Sequence, residues 1–296
     1  YRQMNALGIK CRAFNPFIPV LSARLNNRDH RKILVIDGQI AYTGGINLAD
    51  EYINVYEKYG HWKDNGIRLE GDAVWSFTVM FLTFWDYLTD AAVGEQDYIP
   101  FLPHVYHPDE FASDGYVLPY ADSPLDTQSI AKNVYLQIIN SATKYVYINT
   151  PYLVLDYELT TALCMAAQSG VDVRIAVPHI PDKWYVFAVT RANYPILLRH
   201  GVKIYEYTPG FLHAKSFVSD DTTAVVGSIN LDYRSLYLHF ECAVWLYQTS
   251  TIKDIKADFI HTLTCCQEIT IDEYYRTVRW YKRLGYSVLK LFAPLM

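Results

Sequence analysis

The chain has 296 residues, a formal net charge of −5 at pH 7, 51% hydrophobic residues and 19% charged residues. This length suits two domains with a substantial core, and the composition excludes a disordered chain. The negative charge disfavours a general nucleic-acid binder, because affinity for the phosphate backbone comes mainly from basic patches. We therefore expect a folded, two-domain protein with no nucleic-acid partner.

The first distinctive segment begins at His30 and contains a predicted hairpin. Residues 32–36, Lys-Ile-Leu-Val-Ile, form a short apolar run rich in β-branched side chains, which predicts a buried strand. Asp37-Gly38 then predicts a two-residue turn with positive φ at both positions. The return strand would run to Gly45.

The register of this hairpin predicts which side chains meet. With the turn centred on Asp37-Gly38, His30 lies opposite Gly45. Lys32 then lies opposite Thr43. Side chains alternate along a strand, so His30, Lys32 and Asn47 are expected together at the open end of the hairpin. Asp37 is expected at the turn, as a structural residue.

An uncharged segment follows, from Ala73 to Trp85. Its 13 residues fall short of the ~20 that a membrane-spanning helix requires. Because it is apolar nearly all round, it predicts a buried core helix, with a membrane-dipping helix as the alternative. Five prolines between residues 98 and 124 then indicate an irregular connection.

Strand and helix patterns alternate along the next hundred residues. This alternation is typical of an α/β unit. The predicted elements are 117–120, 127–141, 145–149, 158–169, 171–178, 184–200 and 202–205.

The sequence motif that begins at His30 occurs a second time, with the same spacing between its residues. His213, Lys215, Asp220 and Asn230 follow their counterparts in the first copy at a constant offset of 183 residues. Two copies in identical register indicate an internal duplication in which each copy supplies half of one site. The second hairpin predicts the same cluster, with Asp220 at its turn.

Two imidazoles, two ammonium groups and two carboxamides suit phosphodiester chemistry. Lysine and asparagine can hold phosphate oxygens, and histidine can attack phosphorus or transfer a proton near neutral pH. Metal binding fits poorly, because a lysine two residues from the histidine supplies no ligand. We expect no metal and no cofactor. A pair of structural histidines at strand ends is the alternative reading.

The C-terminus combines basic and aromatic residues. Residues 274–296 contain five basic side chains and no acidic one. This mixture suits a helix that lies on an anionic lipid surface. A terminal helix packed on its own domain is the alternative.

These motifs resemble those of the phospholipase D superfamily, whose signature is H-x-K-x4-D followed by small residues and Asn. The closer resemblance is to bacterial cardiolipin synthases. It rests on Tyr42-Thr-Gly-Gly-Ile-Asn-Leu-Ala-Asp50, Gly227-Ser-Ile-Asn-Leu-Asp-Tyr-Arg-Ser-Leu236 and Phe240-Glu241. His61-Trp62-Lys63-Asp64 and Thr150-Pro151-Tyr152 also resemble segments of that family.

The resemblance implies a phosphatidyltransferase that condenses two phosphatidylglycerol molecules to cardiolipin and glycerol through a phosphohistidine. His30 would be the nucleophile and His213 the general acid and base. Water as the acceptor would make the enzyme a phospholipase D-type phosphodiesterase. From a different class of protein, an inactive phosphate- or lipid-binding module is the remaining alternative.

The resemblance also implies a set of site residues. The signature supplies the catalytic candidates His30, Lys32, Asp37, His213, Lys215 and Asp220. Glu241 resembles a carboxylate that orients a site histidine, and Asp64 could take the same role from a longer loop in the first copy. The remaining phosphate-binding or orienting candidates are Asn47, Asn230, Gly45 and Ser228.

The expected fold is α/β, with two phospholipase D-like repeats, mixed sheets flanked by helices, and an active site at the interface of the repeats on a pseudo-twofold axis. The repeats are predicted at 1–108 and 109–250, followed by a helical, membrane-interfacial segment at 251–296. The first motif stands close to residue 1, which is Tyr, so a C-terminal fragment without its membrane helices is expected. The expected location is the bacterial cell membrane, with the catalytic domain on the cytoplasmic side. The sequence does not specify an oligomeric state.

Overall fold

The computed structural model describes residues 2–15, 27–89, 98–102 and 114–295, and these contain nine α-helices and thirteen strands. The helices are α1 (Arg2–Ala6), α2 (Val74–Thr89), α3 (Ile130–Ser141), α4 (Tyr157–Gln168), α5 (Trp184–Arg199), α6 (Tyr233–Tyr237), α7 (Thr251–Leu263), α8 (Ile271–Thr277) and α9 (Trp280–Lys290). The strands are β1 (Leu34–Ile36), β2 (Ile40–Gly44), β3 (His61–Lys63), β4 (Gly66–Glu70), β5 (Tyr116–Asp122), β6 (Tyr145–Asn149), β7 (Asp172–Pro178), β8 (Lys203–Tyr207), β9 (Gly210–Leu212), β10 (Ser216–Ser219), β11 (Thr223–Gly227), β12 (Glu241–Tyr247) and β13 (Cys266–Ile269).

An eight-stranded mixed sheet forms the centre of the molecule. Its strand order is β13-β8-β7-β6-β10-β11-β12-β5. β6, β7 and β8 are mutually parallel, and the other neighbours are antiparallel. The parallel strands are joined by α4 and α5, as parallel neighbours require a crossover connection. The predicted α/β class with a mixed sheet flanked by helices is confirmed.

Both faces of this sheet are covered, which explains the nearly continuous apolar runs in its strands. The face toward α3, α4 and α5 buries a cluster that includes Tyr135, Ile148 and Phe217. The other face packs against α2, α7 and a three-stranded antiparallel sheet, β1-β2-β4. Phe77 of α2 and Phe259 of α7 are among the buried residues there.

The first hairpin is less buried than its sequence predicts. Leu34 is 56% exposed and Ile36 is also exposed, whereas every residue of β10 in the second copy is buried. β1 lies at the edge of a three-stranded sheet, while β10 is central among eight strands. The prediction of a buried strand is therefore wrong for β1 and right for β10.

The predicted hairpin register is wrong by one residue. Asp37 and Gly38 have positive φ as expected, but Ile36 pairs with Ile40, so the turn holds one residue more than predicted. This register places Lys32 across from Gly44 rather than Thr43. The second hairpin shows the same shift, with Ser219 paired to Thr223.

The return strands of the two copies nevertheless correspond in length and in the strand that follows them in the sheet. β2 and β11 lie 183 residues apart at both ends, so the offset read from the sequence holds through the return strands. The chain after β11 continues into β12 and the chain after β2 into β4, each as the next antiparallel neighbour. The predicted repeat boundary at residues 108 and 109 lies outside the described residues.

The helical segments outside the two hairpins differ in part from prediction. α2 is only partly buried, with Phe77 inside and Phe81 half-exposed. Within the described part of the chain, no helix combines the length and apolarity needed to cross a bilayer. The segment predicted as helical from residue 251 also contains β13, which pairs with β8 at the edge of the large sheet.

Asp220 has a structural role in the second turn. Its carboxylate accepts hydrogen bonds from the backbone N–H groups of Thr143, Lys144 and Tyr145 at 2.7 to 2.9 Å, and from the Thr143 hydroxyl. Burial opposes ionisation of Asp220, but these donors outweigh it and lower its pKa. The aspartate of the signature therefore ties the turn to the start of β6.

We predict that Asp220→Asn lowers the free energy of unfolding by about 1–2 kcal/mol, because the amide cannot accept as many hydrogen bonds from these donors. Asp37→Asn is the matched control, since Asp37 occupies the equivalent turn, also at positive φ, and is exposed. Its expected change is below about 0.5 kcal/mol. Urea unfolding of both variants measures the difference, and equal losses would contradict the assignment.

Candidate active site

Each motif histidine is fixed by the backbone of the other copy. The His213 N–H donates to the carbonyl of Lys63 at 2.7 Å, and β9 pairs in parallel with β3. In the other half the His30 N–H donates to the carbonyl of Phe240 at 2.9 Å, beside a parallel bridge between Asp29 and Phe240. The two halves are therefore joined by a short parallel strand pair at His213 and by a parallel bridge at His30.

This pairing of backbone segments from the two halves places a carboxylate beside each imidazole. Asp64 follows Lys63, and its Oδ2 lies 2.8 Å from Nδ1 of His213. Glu241 follows Phe240, and its two oxygens lie 2.9 and 3.0 Å from Nδ1 of His30. Each histidine is thus paired with a carboxylate from the other copy.

The pairing determines which ring nitrogen is free. A carboxylate accepts, so Nδ1 carries the proton in both neutral rings. Nε2 then has its lone pair available for a substrate. An imidazole oriented by a carboxylate in this way is a competent nucleophile or base.

Asp64 and Glu241 are equivalent positions of the duplicated fold. Gly44 pairs with Gly66, and Gly227 pairs with Ala243. Each carboxylate lies two residues before the paired residue of its strand. The loop that leads to Asp64 is longer than the loop that leads to Glu241, as the sequence spacing predicted.

The two carboxylates have different supporting donors. Glu241 is fully buried and accepts from the hydroxyls of Ser228, at 2.5 Å, and Ser235, at 2.7 Å. Asp64 accepts from its neighbour Asn65 N–H at 2.9 Å and from Nε1 of Trp62 at 3.3 Å.

The acidity of the two carboxylates follows from these contacts. Burial opposes ionisation of both groups. For Glu241, the interactions with His30 and with the Ser228 hydroxyl outweigh burial and lower its pKa. For Asp64, the hydrogen bond to His213 and the charge of Lys215 lower its pKa. Both carboxylates are therefore anionic at neutral pH.

Gly45 and Ser228 are counterparts with opposite requirements. Ser228 uses its hydroxyl to support Glu241. A Cβ on Gly45 would lie 2.1 Å from Oδ1 of Asp64, so only glycine leaves room for the shorter acid. Both small residues thus lie against the carboxylates that hold the histidines.

Both motif lysines turn back onto their own motif. Nζ of Lys32 donates to the carbonyl of His30 at 2.6 Å, and Nζ of Lys215 donates to the carbonyl of His213. Burial lowers the pKa of both, that of Lys215 to about 7. An ammonium has three donors, so each lysine keeps N–H groups for an anion.

Burial makes His213 neutral in the free site. Its side chain is 7% exposed, and burial together with the charge of Lys215 lowers its pKa to about 3, against the opposing hydrogen bond to Asp64. A neutral His213 beside an ionised Asp64 is the consistent charge state of this pair. A bound phosphodiester would add negative charge and raise the pKa of His213.

One cavity of about 370 Å³ brings the two halves together. His30, His213, Asn47 and Asn230 line it. Nδ2 of Asn47 donates to the Tyr52 hydroxyl at 2.5 Å, while the buried Oδ1 of Asn230 has no hydrogen-bond partner in the structure. Asp37 and Asp220 do not line this cavity, so the aspartates in the predicted catalytic set are turn residues.

Several lining residues were missed by sequence reasoning. Trp62 and Tyr152 lie in the two minor segments that carried the resemblance, so a signal for them was present. Ten further lining residues were missed, and three of them, Asp232, Arg234 and Ser235, lie in the segment from Gly227 to Leu236 that also carried the resemblance. These lining residues are Tyr52, Val154, Asp182, Lys183, Tyr185, Val186, Asp232, Arg234, Ser235 and His239.

His239 makes the two halves chemically unlike. Its ring centroid lies 5.7 Å from that of His30, and both of its ring nitrogens are buried without a hydrogen-bond partner. In the other half, the ring centroid of His213 lies 5.1 Å from that of Trp62 and 5.4 Å from that of Tyr52. Burial lowers the pKa of His239 to about 4, so it is neutral.

Among the described residues, one group brings enough ligand atoms together for a metal ion. His30, His239 and Glu241 each offer an atom within 4.8 Å of the others. The oxygens of Glu241 already accept from His30, Ser228 and Ser235. In these contacts Glu241 serves to orient His30 through its Nδ1 atom.

Comparison with known proteins yields one consistent set of relatives. Residues 135–263 match the family described as cardiolipin synthase, PLD-like domain. A cardiolipin synthase of Halalkalibacterium halodurans is 36% identical over 297 residues, which cover 100% of this chain and 58% of that protein. An uncharacterized protein of Streptococcus mutans is 51% identical over 295 residues, covering 100% of this chain and 62% of that protein. The chain thus spans about three fifths of the length of these relatives.

A solved structure shares the fold. The phosphatidylserine synthase of Haemophilus influenzae Rd KW20 superposes with a TM-score of 0.64, at 15% sequence identity. The match covers 90% of this chain and 69% of that one. The architecture of both halves therefore recurs in a protein of very different sequence.

We predict that acid destabilises the protein through His213. Its folded pKa of about 3 lies below the ordinary 6.5, so between these values the unfolded chain binds a proton that the folded chain does not. This contribution to stability is complete above pH 6.5 and falls toward pH 3 by up to about 1.4 kcal/mol per pH unit. Urea unfolding at several pH values in this range gives the free energy of unfolding at each pH. That free energy should depend less steeply on pH in His213→Gln than in the native protein. The exposed His261→Gln is the control, and equal slopes for all three proteins would contradict the prediction.

We predict that Gly45→Ala displaces Asp64 and costs about 1–3 kcal/mol through overpacking. Gly285→Ala is the matched control, because a Cβ there meets no atom within 4 Å. Thermal unfolding should show a lower Tm for the first variant and an unchanged or higher Tm for the second. A Tm for Gly45→Ala that equals the native value would mean that the glycine is not required.

Proposed function

We propose that this chain, whose residues 135–263 match the family described as cardiolipin synthase, PLD-like domain, is a phosphatidyltransferase acting on phosphatidylglycerol. Two molecules of this lipid would yield one cardiolipin and one glycerol. The observation that carries the proposal is the pair of imidazoles facing one cavity, each held at Nδ1 by a carboxylate of the other half.

The first half-reaction transfers the phosphatidyl group to the protein. Nε2 of His30 attacks phosphorus and forms a P–N bond, while the P–O bond to the headgroup glycerol breaks. His213, protonated on both nitrogens once the phosphodiester is bound, gives its Nε2 proton to the departing glycerol oxygen. Asp64 stabilises the imidazolium in the meantime.

The second half-reaction returns the group to a lipid. The neutral His213 takes the proton from a headgroup hydroxyl of a second phosphatidylglycerol. That oxygen attacks phosphorus, the P–N bond breaks, and His30 returns to its neutral form. Neither half-reaction needs a redox partner or another co-reactant.

The polar groups around the histidines suit the charge of the transferred phosphate. Lys32 and Lys215 supply positive charge in a buried site, where each donor stabilises a developing anion more strongly than in water. Asn47 and Asn230 would hold oxygens from the two halves. Intact His and Lys in both copies count against an inactive phosphate-binding module.

A lipid substrate implies work at a membrane surface. We propose the bacterial cell membrane as the location and its cytoplasmic side for this domain. The relative from Halalkalibacterium halodurans is named cardiolipin synthase, which supports a lipid acceptor over water.

We predict that incubation with phosphatidylglycerol yields cardiolipin and glycerol in equal amounts. Phosphatidic acid as sole product would support the phospholipase D-type alternative, in which water is the acceptor. Absence of any product from an intact, folded sample would favour the binding module. Lipid extracts resolved by mass spectrometry, with His261→Gln as an exposed-histidine control, measure all three outcomes.

We predict that a good leaving group separates the roles of the two histidines. Phosphatidyl-p-nitrophenol needs no proton on its leaving oxygen, so His213→Gln should retain a burst of p-nitrophenolate, whereas His30→Gln should lose it. With phosphatidylglycerol both variants should lose at least about 10²-fold in rate. A burst in His30→Gln and none in His213→Gln would exchange the roles, and full activity of either with phosphatidylglycerol would contradict a shared site.

A further inference from the structure

Helix α9 carries its apolar side chains on the outside of the protein. Trp280, Leu284, Val288 and Leu291 recur at helical spacing, so they share one face. Their exposure ranges from 49% for Val288 to 78% for Leu291. A helix that packs through its apolar side would show the opposite pattern.

The other face of α9 already has its packing partners. The helix packs along α5, with Tyr286 against the main core. The guanidinium of Arg283 lies 4.7 Å from the ring centroid of Tyr275 in α8. The exposed row is therefore additional to the face that holds the helix on the fold.

Positive charge accompanies the exposed row. From Tyr274 to Met296 the chain has no acidic residue, although the whole chain has a net charge of −5. The basic residues of this segment are Arg276, Arg279, Lys282, Arg283 and Lys290. Exposed Trp280 and Tyr281 add amphipathic rings, which favour the boundary between water and lipid.

The C-terminal end of α9 lies beside the cavity. Leu289 and Ala293 pack in a small cluster with Val154 and Val186, and both valines also line the cavity of the two histidines. A surface in contact with Leu291 would therefore lie close to the side of the cavity formed by the start of α5.

We propose that the outer face of α9, continued by Leu291 and Phe292, docks on an anionic lipid surface. The helix would lie in the plane of the headgroups, with its apolar row in the acyl boundary and the exposed basic side chains of Arg279 and Lys282 among lipid phosphates. A second copy of the chain fits less well, because pairing two such faces would oppose like charges. The lipid nature of the substrate rests on the proposed function, but the docking itself can be measured without turnover.

Vesicle flotation tests the docking directly. The native protein should float with vesicles of equal parts phosphatidylcholine and phosphatidylglycerol, and less with phosphatidylcholine alone or at high salt. Leu284→Ser/Leu291→Ser should weaken partitioning by about tenfold or more, since two apolar anchors are lost. Met165→Ser removes an exposed apolar side chain from α4 and should float like the native protein.

Three outcomes would overturn the docking proposal. The double variant could float as well as the native protein, the native protein could bind both vesicle types equally, or the double substitution could convert a dimer to a monomer in the absence of lipid. Turnover of short-chain monomeric phosphatidylglycerol should be similar in the native protein and the double variant. Failure of the native protein on that substrate would instead contradict the proposed function, whatever the flotation result.

Discussion

Each imidazole of the cavity is held by a carboxylate from the other half of the chain, and the rest of the site depends on this crossed pairing. His213 is bonded to Asp64 and His30 to Glu241, and the backbone of each histidine is bonded to the residue before that carboxylate. Neither half can therefore orient its own histidine. The site exists only when both repeats are folded against each other.

The duplication is close to symmetric in its backbone and asymmetric in its supporting residues. A glycine accommodates Asp64 where a serine supports Glu241, and an indole stands beside His213 where a third imidazole stands beside His30. The proposed roles of nucleophile and proton donor are assigned to histidines in these unlike surroundings. The fold imposes similar geometry on both histidines, so the chemical differences between the two halves lie in the side chains around them.

Much of the fold and the centre of the site could be predicted from the sequence, because both depend on local patterns. The alternating elements before the second motif and the offset between β2 and β11 match the structure closely. The positive φ at Asp37 was predicted, but the extra residue in the turn was not, since turn chemistry does not fix the strand register. The burial of β1 was overestimated because the number of strands in its sheet is not a local property.

The residues that sequence could not place are those whose role depends on the other half. Asp64 and Glu241 were proposed as orienting acids, yet nothing local indicates that each serves the histidine of the opposite copy. Likewise the repeat could not indicate His239, because the equivalent position in the first copy holds a different residue, Trp62. The outward apolar face of α9 also required the structure, since an amphipathic pattern does not say which face packs on the protein.

Burst kinetics with phosphatidyl-p-nitrophenol on the two carboxylate variants test the crossed pairing most directly. If Asp64 positions His213 and Glu241 positions His30, then Asp64→Asn should keep the burst of p-nitrophenolate but lose turnover of phosphatidylglycerol. Glu241→Gln should lose both. A burst that survives in Glu241→Gln and disappears in Asp64→Asn would contradict the pairing on which this account depends.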